Sequence, residues 1–409
     1  MKESLPVPVA GEGVASGRAA AAWRPLILLG GVLFCVFLAT GMVSALIPLR
    51  VADVTHDYGE LAALTTVYAA VGILAGYGWG WLADRLGRRV PFVLGGLAGL
   101  TLAYVGYLLS ASFLSLLLTR VVEGAALAAY NVGSVALLGD FVAGQKGRGR
   151  LLGAYRTFGS LAFGLTMLTS GTIADRLGPL VPFLCAAACT GLGSLLSVGL
   201  REAAPATRPV VPAGGAPGGS EQRATVGMPL LVGLLIGVFG WHLVLTAVYS
   251  VWPNYLASVG YSRTAITRLW ALASLSEVPL MVAMGYLVDR IGRRPMLALS
   301  LGVIGVVVGA YLAVPQLPWI AVVQVIRAVA YSAFLTASLA LTVEAGSYAR
   351  RGRITGLVAT VGSVGDVTGA ASGGTLVRAA GFGTLLQSGS AAALACAVAV
   401  LLARFWRRP

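Results

Sequence analysis

Charge is scarce in this chain: only 11% of its 409 residues are Asp, Glu, Lys or Arg. A water-soluble domain carries about 25%, so this sequence has too little charge to cover a surface facing water. Lysine is nearly missing, with Lys2 and Lys146 the two present, and histidine is as rare, at His56 and His242. That leaves no convergent His-based catalytic or metal-binding set. Cys35, Cys185, Cys189 and Cys396 all lie in apolar runs, as small packing residues do, and imply no disulfide framework. The phosphate-binding pattern Gly-x-x-x-x-Gly-Lys-Ser/Thr is absent, so ATP is not expected as the energy source. No cofactor and no metal are expected.

Apolar residues are what the chain does have. They make up 57% of it, and the mean hydropathy is +0.86. Disorder is excluded by that figure. Runs long enough to cross a bilayer, about 20 residues each, fall near 26–49, 61–83, 91–110, 113–139, 151–173, 178–200, 227–253, 264–288, 295–314, 317–343, 354–376 and 382–403. That is an all-α membrane protein with twelve spans. The first run is too long for a signal-peptide core and is read as a retained helix. Residues 201–226 are rich in Pro, Gly and Ala without apolar periodicity, as a flexible linker is. The expected division is a tail at 1–24, a six-helix bundle at 25–200, the linker at 201–226, a second bundle at 227–403 and a tail at 404–409.

The net charge of +14 reports topology, not nucleic acid. The two tails, the linker and the 2–3, 4–5, 8–9 and 10–11 connections each hold three Lys or Arg, whereas the other connections hold only Arg50, Arg176, Arg263 and Arg378. The positive-inside rule then puts both termini and the linker in the cytoplasm of a cell that carries the protein in its inner or plasma membrane.

The halves repeat. GWLADRLGRR at 80–89 recurs as GYLVDRIGRR at 285–294, and GRGRLLG at 147–153 recurs as RRGRITG at 350–356. Asp140 matches Glu344 and Arg120 matches Arg327, all at offsets of 203 to 207. A constant offset over several landmarks marks a duplication. In the first copy Gly80 is small enough to let helices approach, and Asp84 is placed to cap a helix N-terminus. The motif continues through Gly87, and Arg88 or Arg89 can pair with Asp140. The second copy offers Gly285, Asp289, Gly292, Arg293 and Arg294, with Glu344 as partner. Such clusters are expected to hold one conformation and release in another.

These residues resemble the signature loop of the major facilitator superfamily, and Arg120, Glu123 and Gly124 resemble its second motif. The resemblance covers the whole chain. It implies twelve helices in two pseudo-symmetric bundles, a central substrate cavity, alternating access and coupling to protons. The family's antiporter motif is degraded to Thr166, Met167, Ser170 and Gly171, with a partial echo at Gly369, Gly373 and Gly374.

Ionisable residues inside spans cost about 2.5–3.5 kcal/mol each on insertion scales, so they are expected to face the bundle interior. Arg120, Glu123, Tyr130 and Asn131 are placed on one side of span 4. Gln324, Arg327 and Tyr331 share a side of span 10. Glu277 in span 8 and Asp366 in span 11 have no charged counterpart in the other half, and a carboxyl group removed from water favours its protonated form. They are the leading coupling candidates, with Glu123 third. Trp270 and Ser274 share a face with Glu277. Trp241 and His242 lie mid-span, whereas Tyr249, Trp252 and Tyr255 read as interfacial anchors.

The expected function is secondary transport of a small organic solute, with export of drug-like or metabolite compounds slightly ahead of uptake of a sugar or organic acid. A solute receptor lacks a signalling domain here, and an enzyme lacks a catalytic set. The expected partners are the solute, the bilayer and protons, with the chain a monomer.

Overall fold

The computed structural model describes residues 12–142, 148–202, 228–345 and 351–403. The expected C-terminal tail, and the expected linker from residue 203 onward, lie outside the described residues. Helices account for nearly everything described. The first bundle comprises α1 (Glu12–Val43), α2 (Ile47–Thr55), α3 (Tyr58–Leu86), α4 (Val90–Leu109), α5 (Phe113–Val142), α6 (Arg148–Leu177) and α7 (Val181–Ser197). The second comprises α8 (Met228–Tyr249), α9 (Trp252–Ser258), α10 (Arg263–Ile291), α11 (Arg293–Ala313), α12 (Trp319–Ala345) and α13 (Arg351–Leu402).

These thirteen elements make the twelve expected crossings. The short α2 and α9 extend the first and seventh crossings beyond a turn. α13 is broken at Gly381, whose φ of 80° suits glycine alone, so it supplies two crossings. Nine helices among the described residues are long and apolar enough to be read as spans from length and composition. α6 is not among them, and α7 is only 17 residues long. Leu102, Leu192, Leu195, Val306 and Val398 are all more than half exposed. An outer surface of that kind is stable against lipid tails, not water.

The repeated loop motif is visible as local structure. Gly87 ends α3 at φ 62°, donating to the Ala83 carbonyl, and Gly292 separates α10 from α11 at φ 97°. Each glycine supplies a backbone conformation that a side chain would strain. We call the side carrying these two loops the basic face.

The bundles meet at the opposite face. α3 packs on α13, and α6 on α10. Arg263 pairs with Asp53 at 3.2 Å and Arg378 with Asp57 at 3.4 Å. Thr264 donates its hydroxyl to Asp175 at 2.7 Å, Asn254 donates to the Pro48 carbonyl at 3.0 Å, and the Gly171 amide donates to Thr267 at 3.2 Å. Every inter-bundle hydrogen bond and ion pair among the described residues lies towards this face. Acids come from the first bundle and bases from the second.

Gly374 sets the closeness of this seam, since a Cβ there would collide with the Tyr58 carbonyl and with Ala62. Gly374→Leu is therefore expected to hold the opposite face open. In a cysteine-free background, a cysteine replacing Thr65 should react several-fold faster with an impermeant maleimide applied from that face. An unchanged rate would refute this account of the seam.

Candidate substrate cavity and buried charge pairs

A cavity of about 470 Å3 lies between the bundles. Phe37, Thr65, Ser160 and Phe163 line it from the first bundle. Thr246, Tyr249, Ser250, Trp270, Ser274, Glu277, Arg327 and Tyr331 line it from the second. Its charged groups, Glu277 and Arg327, both belong to the second bundle.

Arg327 on α12 reaches Glu277 on α10, Nη2 to Oε1, at 3.6 Å. That is an ion pair but too long for a hydrogen bond. The guanidinium lies over the Tyr249 ring at 5.1 Å, a cation–π contact. Tyr249 in turn belongs to an aromatic cluster with Trp252, Trp270 and Tyr311. Tyr249, Trp252 and Tyr255 are all at least nine-tenths buried. Their reading as interfacial anchors is thus corrected: Tyr249 lies under Arg327, Trp252 packs on Tyr249, and Tyr255 donates to the Tyr311 carbonyl. The break between α8 and α9 folds that stretch inward, which hydropathy alone did not reveal.

The first bundle treats its matching arginine differently. Arg120 donates to Glu123 at 3.0 Å, and the Tyr107 hydroxyl donates to the same carboxylate oxygen at 2.6 Å. The guanidinium lies over the Tyr68 ring at 5.1 Å. Arg120 and Glu123 are 7% and 5% exposed and do not line the cavity. Arg120, Glu123 and Tyr107 form a tight knot within the first bundle.

The four span-4 candidates do not form one site. Tyr130 packs against α4 with Val93 and Leu97, and Asn131 is exposed. Ten residues of helix at about 100° each leave Tyr130 roughly 80° away from Arg120. On α12, Gln324 is buried one turn from Arg327, and Tyr331 reaches the cavity wall.

Asp366 is not isolated either. Its carboxylate lies 3.1 Å from Nδ1 of His242 and accepts the Thr246 hydroxyl at 2.6 Å. Thr246 lines the cavity, and His242 sits one turn nearer the basic face on the same side of α8. The His242 and Asp366 side chains are 36% and 39% exposed. Trp241, next in sequence, is stacked on Phe334 and buried.

The switch loops stand apart from each other. Arg293 pairs with Glu344 at 2.7 Å, within the second bundle. Arg89, by contrast, pairs with Asp84 of its own loop at 3.0 Å, and Asp140 and Arg88 are exposed, as is Asp289. Asp84 does not cap a helix here. Glu202 does, accepting the Arg89 and Val90 amides at 2.9 and 2.8 Å at the start of α4. No neighbour comes within 4 Å of a Cβ built on Gly80 or Gly285, so these glycines do not mediate close packing in this conformation. The physical reason is that, among the described residues, the polar contacts between the bundles lie towards the opposite face. Arg294 caps α13 from outside, donating to the Val400 carbonyl at 2.9 Å.

The profile of the MFS_1-like family matches residues 26–386. The chain belongs to that family of major facilitators. No curated protein matches it. Solved structures resemble this major facilitator closely in fold and weakly in sequence. A nucleoside transporter, NupG, has a TM-score of 0.72 at 14% identity, covering 93% of this chain and 99% of its own. A bacterial homologue of the human lysosomal transporter Spinster, inward-facing and unoccupied, scores 0.69 at 17% identity, covering 93% and 95%. A peptide transporter, POT, with bound sulfate scores 0.73 at 15%, covering 93% and 94%. The chain is thus a multi-pass membrane transporter of small solutes and not an enzyme.

Proposed function

We propose that this facilitator is a proton-coupled secondary transporter that works by alternating access. Glu277 carries the coupling proton, and Arg327 answers its change of charge. The supporting observation is the loose 3.6 Å pair on the cavity wall, beside its tight 3.0 Å counterpart outside the cavity. A carboxylate held weakly by one cation exchanges partners at small cost, whereas one locked by two hydrogen bonds does not. Glu123 therefore leaves the list of coupling carboxylates, and Asp366 with His242 remains on it as a second station towards the basic face.

The basic face is read as cytoplasmic, in the inner or plasma membrane of the cell, with both termini on that side. The seam at the opposite face then makes this the conformation open to the cytoplasm. Rocking the bundles would break the Asp53, Asp57 and Asp175 contacts and bring the signature loops to the other bundle. The protein acts as a monomer. Of the two directions left open by the sequence, uptake of an organic acid is favoured over export, because the cavity's cation is an arginine on its wall.

The test is reconstitution into liposomes holding a pH dye. Organic acids, nucleosides and dipeptides are each added under an imposed pH gradient. At least one class should accumulate and carry protons with it. A solute that accumulates without proton movement would sink the coupling. Asp366→Asn is expected to abolish gradient-driven accumulation while the protein still inserts; unaltered accumulation would remove Asp366 and its His242 contact from the path.

A further inference from the structure

Arg327 is 5% exposed, yet it lies on the cavity wall. Its Nε and Nη2 atoms have no hydrogen-bond partner. A guanidinium offers five N–H donors in a planar fork. Burying such donors unsatisfied is costly. The matching Arg120 spends its charge on Glu123 at hydrogen-bond distance. That leaves one buried donor of Arg120, Nε, without an acceptor, whereas the second bundle leaves two on Arg327, a residue that lines a cavity of about 470 Å3. The walls beside it are aromatic, with Trp270 and Tyr331 from the second bundle and Phe163 from the first.

We infer that the solute is an organic monoanion, a carboxylate on a flat apolar body, whose carboxylate takes the open donors of Arg327 while the body lies against Trp270 and Phe163. This rests on the transport reading above and names its substrate class. The fork geometry suits a carboxylate, which it binds through two parallel N–H bonds. Charge fixes the valence. With Glu277 ionised, the pair is neutral and an anion enters against the carboxylate. With Glu277 protonated, one positive charge remains and one negative charge balances it. A doubly charged phosphate monoester would leave an uncompensated charge in a space walled by aromatics. The proton comes from the aqueous side and rests on a Glu277 carboxyl oxygen, so anion and proton bind together and the loaded site is neutral. The other ionisable groups packed about the pair are Tyr249, Tyr311 and Tyr331. Thr246 separates it from Asp366 and His242. Among the described residues, the first bundle presents Phe37, Thr65, Ser160 and Phe163 to this cavity.

The test uses the purified full chain in detergent. Thermal unfolding is followed with a series of aromatic carboxylates from benzoate to naphthoate, each beside its neutral amide and its amine. Carboxylates should raise the unfolding temperature selectively. Their affinity should fall about tenfold per unit of rising pH once Glu277 ionises, as one bound proton per anion requires. Arg327→Gln should abolish the effect. Glu277→Gln should keep binding but flatten its pH dependence, which a merely structural role for Glu277 does not predict. Stabilisation by amides or amines equal to that by carboxylates overturns the proposal. So does a pH dependence that survives in Glu277→Gln, or a series in which no member stabilises. Amides that bind and also move protons in liposomes would sink the anion and spare proton-coupled transport. Carboxylates that bind without moving protons would do the reverse.

Discussion

Glu277→Gln is expected to abolish gradient-driven accumulation and leave exchange intact. The substitution keeps the side chain's size and its place on the cavity wall. It removes the group that takes up the proton. A one-unit pH gradient supplies about 1.4 kcal/mol per proton, enough for about a tenfold accumulation at one proton per solute. The variant should lose all of that, so labelled solute equilibrates at equal concentration inside and out. Exchange of labelled for unlabelled solute needs no net proton movement and should persist at near the original rate. The informative measurement is therefore the ratio of accumulation to exchange in the same vesicles. A variant failing in both assays would have lost its site or its fold. A variant that still accumulates about tenfold would show that the coupling proton rides elsewhere, with Asp366 the next carboxylate to test.

Much of the architecture was legible because it rests on one-dimensional signals. Twelve apolar runs, the arginine-rich alternate connections and the repeat of GWLADRLGRR at a constant offset needed no knowledge of packing. The charged pairs were only half legible. Arg120 and Glu123 are three residues apart on one helix, and helical geometry alone brings them together. Glu277 and Arg327 sit on different helices, as do His242 and Asp366. Periodicity gives the face of each helix but not which helices meet or at what depth. Both carboxylates therefore read as isolated when each has a partner. The Glu202 cap was hidden for the same reason: it lies 113 residues from the amide it accepts. One signal was available. A lone mid-span His and a lone mid-span Asp in the same bundle are each costly alone, and pairing lowers the cost of both.

The knot in the first bundle gives the largest stability effect. Glu123→Gln removes the negative charge from a site where Arg120 is 7% exposed and, among the described residues, pairs with no other carboxylate. Breaking one side of a buried ion pair costs about 3–5 kcal/mol, because the remaining charge stays buried and uncompensated. The Tyr107 hydroxyl can still donate to the Gln amide oxygen, so that bond does not add to the loss. The variant should unfold at a markedly lower temperature in detergent. The double variant Arg120→Met with Glu123→Leu removes both charges and fills the space with apolar atoms. It should regain most of the stability, short of about 1–3 kcal/mol for the Tyr107 hydroxyl left without its acceptor. Proton-driven accumulation by the double variant should match the wild type per folded molecule, since neither residue touches the cavity. Recovered stability with lost coupling would return Glu123 to the proton path. Recovery of both would leave the two arginines, equivalent by duplication, divided between a structural part in one bundle and a working part in the other.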